Sequence, residues 1–92
     1  MATTTLRQTH SASAEYSDLT TSIPGAAGAT GFIKHLGGTE VEIVFGGAEE
    51  PEATVRGTLL RAGGEEWCES DHIWLRCPHG GAATLGFVAF SE

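Results

Sequence analysis

The sequence predicts a single all-β domain, a small antiparallel β-sandwich or barrel of about six or seven short strands. Three observations carry that expectation. Apolar and polar residues alternate with a period of two through residues 39–45 and 71–77, as they do in strands that bury one face, and residues 83–90 form a further strand-like apolar run. Gly is abundant, at 13 of 92 residues, and Gly pairs fall between apolar runs, where they read as turns. No stretch sustains a helical repeat, and turn signals recur about every eight to twelve residues, the spacing of sandwiches and barrels.

The central element is residues 71–77, Asp-His-Ile-Trp-Leu-Arg-Cys. As a strand it points Ile73, Leu75 and Cys77 to one face and His72, Trp74 and Arg76 to the other. Residues 1–22 are rich in Thr, Ser and Ala, with Leu6, Tyr16 and Leu19 as their large apolar groups. That composition predicts an extended N-terminal arm, held by a neighbouring subunit, outside a β-sandwich domain of residues 23–92. Tyr16, Leu19 and Ile23 have helix-like spacing, but Thr20-Thr21 and Pro24 argue against a helix. Residues 23–31 form a Pro- and Gly-punctuated connector.

Residues 32–36 read as a short strand, and Gly37-Gly38 as a tight hairpin turn. In the next strand Val41, Ile43 and Phe45 face the core, with Glu40 and Glu42 in water. Residues 46–52 make an exposed acidic loop. Residues 54–61 form a strand with Val55 and Leu59 on one face, and residues 62–64 turn the chain. Residues 65–68 form a strand, and residues 69–71 a hairpin turn that pairs Cys68 with His72. Residues 78–81 end the central strand. The last strand, 83–90, is apolar on both faces, so it is central or covered by a partner.

Five cations, Arg7, Lys34, Arg56, Arg61 and Arg76, face twelve acids, for a net charge of −7. This balance argues against a nucleic-acid partner, which requires clustered Lys and Arg, and against an anionic membrane surface. No apolar run reaches the roughly 18 residues of a membrane span, and the N-terminus lacks the apolar stretch of a signal peptide. The expectation is a chain made and kept in a cytoplasm unless a larger assembly carries it out.

Several residues are candidates for chemistry. Cys68, His72, Cys77 and His79 are zinc-ligand types within twelve positions. Their spacing is not that of a zinc finger, and His72 and Cys77 fall on opposite faces of a regular strand. The favoured reading is buried free thiols and surface histidines, with no metal and no cofactor. Cys77 lies too far along the ladder from Cys68 for an easy intramolecular disulfide, which leaves an intermolecular one as the alternative. A Cys68–His72 dyad oriented by Asp71 would sit in a tight turn without a pocket, so no enzymatic activity is expected. Glu49, Glu50 and Glu52 lack the patterned ligands of a calcium loop. Trp67 and Trp74 could stack on a sugar, but packing or a protein interface is favoured, and Trp74 is the better surface candidate.

From Gly31 onward, about two-thirds of the chain, the sequence resembles the small β-sandwich virion proteins of tailed bacteriophages. The resemblance is carried by Val41-Glu42-Ile43-Val44, Pro51, Leu60-Arg61-Ala62-Gly63-Gly64, Ser70-Asp71-His72-Ile73-Trp74-Leu75-Arg76 and Gly80-Gly81-Ala82-Ala83-Thr84-Leu85. Cys68, Cys77 and the two nearby histidines depart from that pattern. The resemblance implies a non-enzymatic structural subunit of a virion, assembled in the host cytoplasm. Within that class the reading is a capsid decoration (cement) protein whose arm clamps the major capsid protein or other virion subunits. Shell symmetry would favour a closed homo-oligomer such as a trimer. A tail, neck or fibre-attachment component is the alternative within the class, and a carbohydrate- or ligand-binding β-module the alternative outside it. Leu6, Tyr16, Leu19, Trp74, Arg76 and Phe90 are the interface candidates.

Overall fold

Strands that alternate apolar and polar residues must bury one face, and here two sheets do so against each other. The computed structural model describes residues 2–91. Its strands are β1 (Ala2–Thr5), β2 (His10–Ala12), β3 (Ser17–Asp18), β4 (Thr30–Gly38), β5 (Val41–Gly46), β6 (Thr58–Leu60), β7 (Glu65–Glu69), β8 (His72–Arg76) and β9 (Ala83–Ser91). One helical turn, α1 (Leu19–Ser22), is followed by a 3₁₀ turn at Pro24–Ala26. In the first sheet β4 lies between β7 and β9, and β1 and β2 both pair with the far edge of β9. The second sheet runs β3-β8-β5-β6, and every described pairing is antiparallel. The protein is therefore an all-β sandwich of about nine strands, and not a closed barrel.

The core lies between the sheets. Ile33, Cys68, Leu85 and Phe87 enter it from the first sheet, and Val41, Ile43, Leu60, Ile73, Leu75 and Cys77 from the second. Leu19, Ile23 and Ala26 close one end from the helical turns. Burial of each large aliphatic or aromatic side chain contributes about 1.5–3 kcal/mol, and most of these are completely enclosed. The faces expected for β8 and β9 hold, with Ile73, Leu75, Leu85 and Phe87 inside, and β9 is central in its sheet.

Several expectations change. The N-terminal segment is extended, but it is not a free arm. β1 and β2 line β9, β3 pairs with β8, and Ala12, Tyr16 and Leu19 are buried within the chain. Backbone pairing holds the segment in place, so that Ala12 and Leu19 reach the core, Leu6 packs against it, and Tyr16 lies against Arg76. Gly37-Gly38 is not a hairpin turn either, because the chain leaves the first sheet there and enters the second. Both glycines extend β4 against Thr84 and Ala83, past a bulge between His35 and Gly37. Gly38 has φ 106°, and an added Cβ would strike the carbonyl of Ala82, so only glycine fits.

The turn at residues 69–71 likewise joins different sheets, which separates Cys68 from His72. Finally, residues 54–57 form no strand. In β6 it is Leu60 that points inward, while Leu59 and Val55 are exposed. Phe45, at the end of β5, is 42 % exposed, whereas Glu42 is buried at 3 %.

Candidate functional site: two outer faces of a sandwich

The outward side chains of the two sheets meet different fates. On the second sheet Glu42 and Arg76 are direct cross-strand partners of β5 and β8. Arg76 Nε donates to Glu42 Oε1 at 2.8 Å. Arg76 Nη1 donates to the carbonyl of Ala53 at 2.7 Å and Nη2 to that of Val55 at 3.1 Å. The backbone N–H of Gly57 donates to Glu42 Oε2, and the Tyr16 hydroxyl to the Val55 carbonyl. The Arg76 guanidinium carbon lies 4.3 Å from the centre of the Tyr16 ring, a cation–π contact. Trp74 Nε1 donates to the carbonyl of Gly47. Together these contacts fold the β5–β6 connection back over the sheet as a roof.

Burial alone would raise the Glu42 carboxyl pKa. The Gly57 N–H and the Arg76 guanidinium outweigh it and hold the group below its ordinary value. An open cavity of about 410 Å³ beside the roof is lined by Ala14, Ala53, Thr54, Arg56, Arg76 and Pro78. Its buried cation, Arg76, is already neutralised by Glu42.

The outer face of the first sheet has no such cover among the described residues. The ladder sets Trp67 of β7 opposite Phe32 of β4, and Phe32 opposite Val88 of β9. Phe32 meets both Trp67 and Phe90 edge to face, with ring centres 5.3 and 5.2 Å apart, and Trp67 lies 5.4 Å from Phe90. Each such pair contributes about 0.5–1.5 kcal/mol beyond area burial, so the rings hold one another in place. Trp67 is nevertheless 49 % exposed. Glu65, Glu69, Lys34 and Thr30 border the cluster, with Thr30 Oγ1 donating to Glu69 Oε2 and Lys34 Nζ 3.9 Å from Glu65.

A polar cluster ties the N-terminal segment to β8. Asp18 caps α1, accepting from the Thr20 N–H and hydroxyl, and also from His72 Nδ1 at 2.7 Å and the Ile73 N–H. Burial opposes ionisation of Asp18, but these bonds outweigh it and depress its pKa. His10 is buried with Nδ1 2.9 Å from Ser22 Oγ and Nε2 2.8 Å from Ser17 Oγ. Burial lowers its pKa, and the nearby Asp18 only partly offsets this. Both ring nitrogens of His10 face serine hydroxyls, which fix the ring between α1 and β3.

The residues singled out from sequence are dispersed. Cys68, in β7, and Cys77, just past β8, are free and buried, and burial pushes the Cys68 thiol up to about 11. His72 is engaged with Asp18, and exposed His79 lies 3.7 Å from Glu40. Among the described residues no group of three His, Cys, Asp or Glu side chains is placed to hold a metal ion. Of the interface candidates, Leu19 is core, Tyr16 and Arg76 hold the roof, Leu6 packs against the core, and Trp74 is half-buried. Phe90 alone among them joins the open aromatic cluster, and Trp67, not Trp74, is its exposed member. The sequence signal for that cluster was the alternation of Phe32, Trp67 and Phe90 with inward residues. It gains meaning only once β4, β7 and β9 are known to be neighbours. No protein-family model, curated protein or solved structure matches this chain.

Proposed function

We propose that this protein is a non-enzymatic structural subunit of a tailed-bacteriophage particle that decorates its shell, docking through the outer face of the first sheet. The observation that carries the docking face is the Phe32–Trp67–Phe90 cluster, ordered by its own ring contacts yet open on one side. Aromatic side chains at the centre of an apolar patch with a polar rim are the usual anchors of protein interfaces. The assignment to a particle rests on the resemblance carried by the segments around Val41, Leu60, Ile73 and Gly80.

The N-terminal segment does not act as a clamp in this reading. It completes both sheets and so supports the face. A rigid sandwich that attaches by one preformed face loses little conformational freedom on binding, which suits a subunit present in many copies.

The test is quantitative mass spectrometry of gradient-purified particles released from cells that carry the gene. The chain is expected in the particle fraction at a copy number that tracks the major shell subunit. A few copies per particle would indicate a tail or neck component, and a chain left wholly in the soluble fraction would contradict the proposal.

A further inference from the structure

The rim of the aromatic face says what kind of segment fits it, provided the docking face proposed above is the working surface. β7 is an edge strand: among the described residues it pairs with β4 alone. An edge strand leaves alternate backbone N–H and C=O groups open to a further strand. At five residues it is longer than β6 or β3, the edges of the second sheet. Along it Cys68 points into the core, so Glu65, Trp67 and Glu69 share the outer face. A strand added beside β7 would extend the existing row Val88–Phe32–Trp67 by one side chain. It would also bring its flanking outward residues against Glu65 and Glu69.

We infer that the partner supplies an extended basic segment that adds to the free edge of β7. On the face it shares with Trp67 it carries Lys or Arg, then a large apolar residue, then Lys or Arg, at alternate positions. The apolar residue packs on Trp67, and the cations meet Glu69 and Glu65. A second copy of this chain does not fit. Two β7 edges paired antiparallel about Trp67 would set Glu65 of each copy opposite Glu69 of the other, and like charges directly opposite are destabilising. The same glutamates guard the edge against self-pairing.

The experiment titrates the full-length protein with the peptide acetyl-Thr-Lys-Thr-Leu-Thr-Lys-Thr-amide and with its counterpart bearing Glu in place of Lys. Amide NMR reads binding and hydrogen exchange residue by residue. The Lys peptide is expected to bind at least about tenfold more tightly than the Glu peptide, with the difference shrinking as salt is added. Exchange should slow at those β7 amides that do not bond to β4. The double variant Glu65→Lys/Glu69→Lys should reverse the preference. No saturable binding, equal affinity for the two peptides, or binding without protection in β7 would each overturn the inference.

Trp67→Ala separates this failure from failure of the docking face. If the variant no longer attaches to particles while the peptides do not bind, the face stands and the basic strand falls. If the variant attaches normally, the face itself is wrong.

Discussion

The two outer faces of this sandwich are built from similar material and finished differently. Each carries Trp on a strand with charged neighbours: Trp74 beside Arg76 on the second sheet, Trp67 between Glu65 and Glu69 on the first. On the second sheet the chain covers its own face. Residues 47–57 return over β5 and β8, and the Glu42–Arg76 pair with Tyr16 fastens them there. On the first sheet the charged residues stay at the rim and the aromatic centre remains open. A face that the chain closes with a buried ion pair is structural, and one that it leaves ordered but uncovered is available to a partner. That contrast yields a series of predictions about which face fails when each is disturbed.

The largest effect is expected from removing residues 1–22. This strips β1 and β2 from β9 and β3 from β8, and takes Tyr16 from beneath Arg76 and Leu19 from the core. Circular dichroism should show no cooperative melting of the truncated chain. A well-folded truncation would mean that the segment is a dispensable arm after all. Leu75→Asp should have a similar outcome, because it sets an unpaired carboxylate among core side chains. A normal melting curve would reverse the faces assigned to β8.

Glu42→Ala comes next. It strands the buried Arg76 guanidinium and should destabilise by about 3–5 kcal/mol in denaturant titration, with residues 47–57 becoming protease-sensitive. Adding Arg76→Met to that variant should recover most of the loss, since replacing a whole buried pair is far milder than breaking it. If the single variant melts like the parent, the roof is not held by the pair.

The acid response should show two stages. His10 has a folded pKa below its ordinary 6.5, so the unfolded chain takes up its proton first and stability declines as pH falls below 6.5. Glu42 and Asp18 have folded values below their ordinary 4.5 and 3.8. The stability they contribute is complete above those ordinary values and is lost progressively as pH falls below them and through the lower folded values. His10→Gln should abolish the upper stage and leave the lower one. A profile unchanged by that substitution would remove His10 from the account. The smallest stability effect is expected for Trp67→Ala, on the order of 1 kcal/mol, because its ring is half exposed and chiefly loses its contacts with Phe32 and Phe90.

The contrast between the faces was only partly legible in the sequence. The core residues of β8 followed from alternation, because burial on one face is a local, period-two property, and β9 followed from an apolar run bounded by Gly-rich turns. The burial of Glu42 did not. A glutamate between Val41 and Ile43 reads as solvent-facing, and its partner Arg76 lies 34 residues away on a strand whose pairing only the fold reveals. The hairpins expected at Gly37-Gly38 and at residues 69–71 failed for a related reason. Glycine marks where the chain can bend, while the choice between turning within a sheet and crossing to the other depends on the whole packing. The N-terminal segment owes its place to backbone pairing with β9 and β8, which composition does not register. Phe90 was legible as an outward apolar residue because both faces of β9 are apolar. Trp67 is the more exposed of the two indoles, because the Trp74 indole N–H donates to the Gly47 carbonyl.

The central claim is that the first sheet's outer face, and not the roofed one, meets the partner. Hydroxyl-radical footprinting with mass spectrometry would compare the free chain with the same chain on purified particles, one side chain at a time. Trp67, Phe32 and Phe90 should lose most of their oxidation on the particle, while Val55 in the roof and Leu59 beside it keep theirs. If Trp67 remains as reactive on the particle as in solution, and Val55 and Leu59 become protected, the assignment of the two faces is reversed.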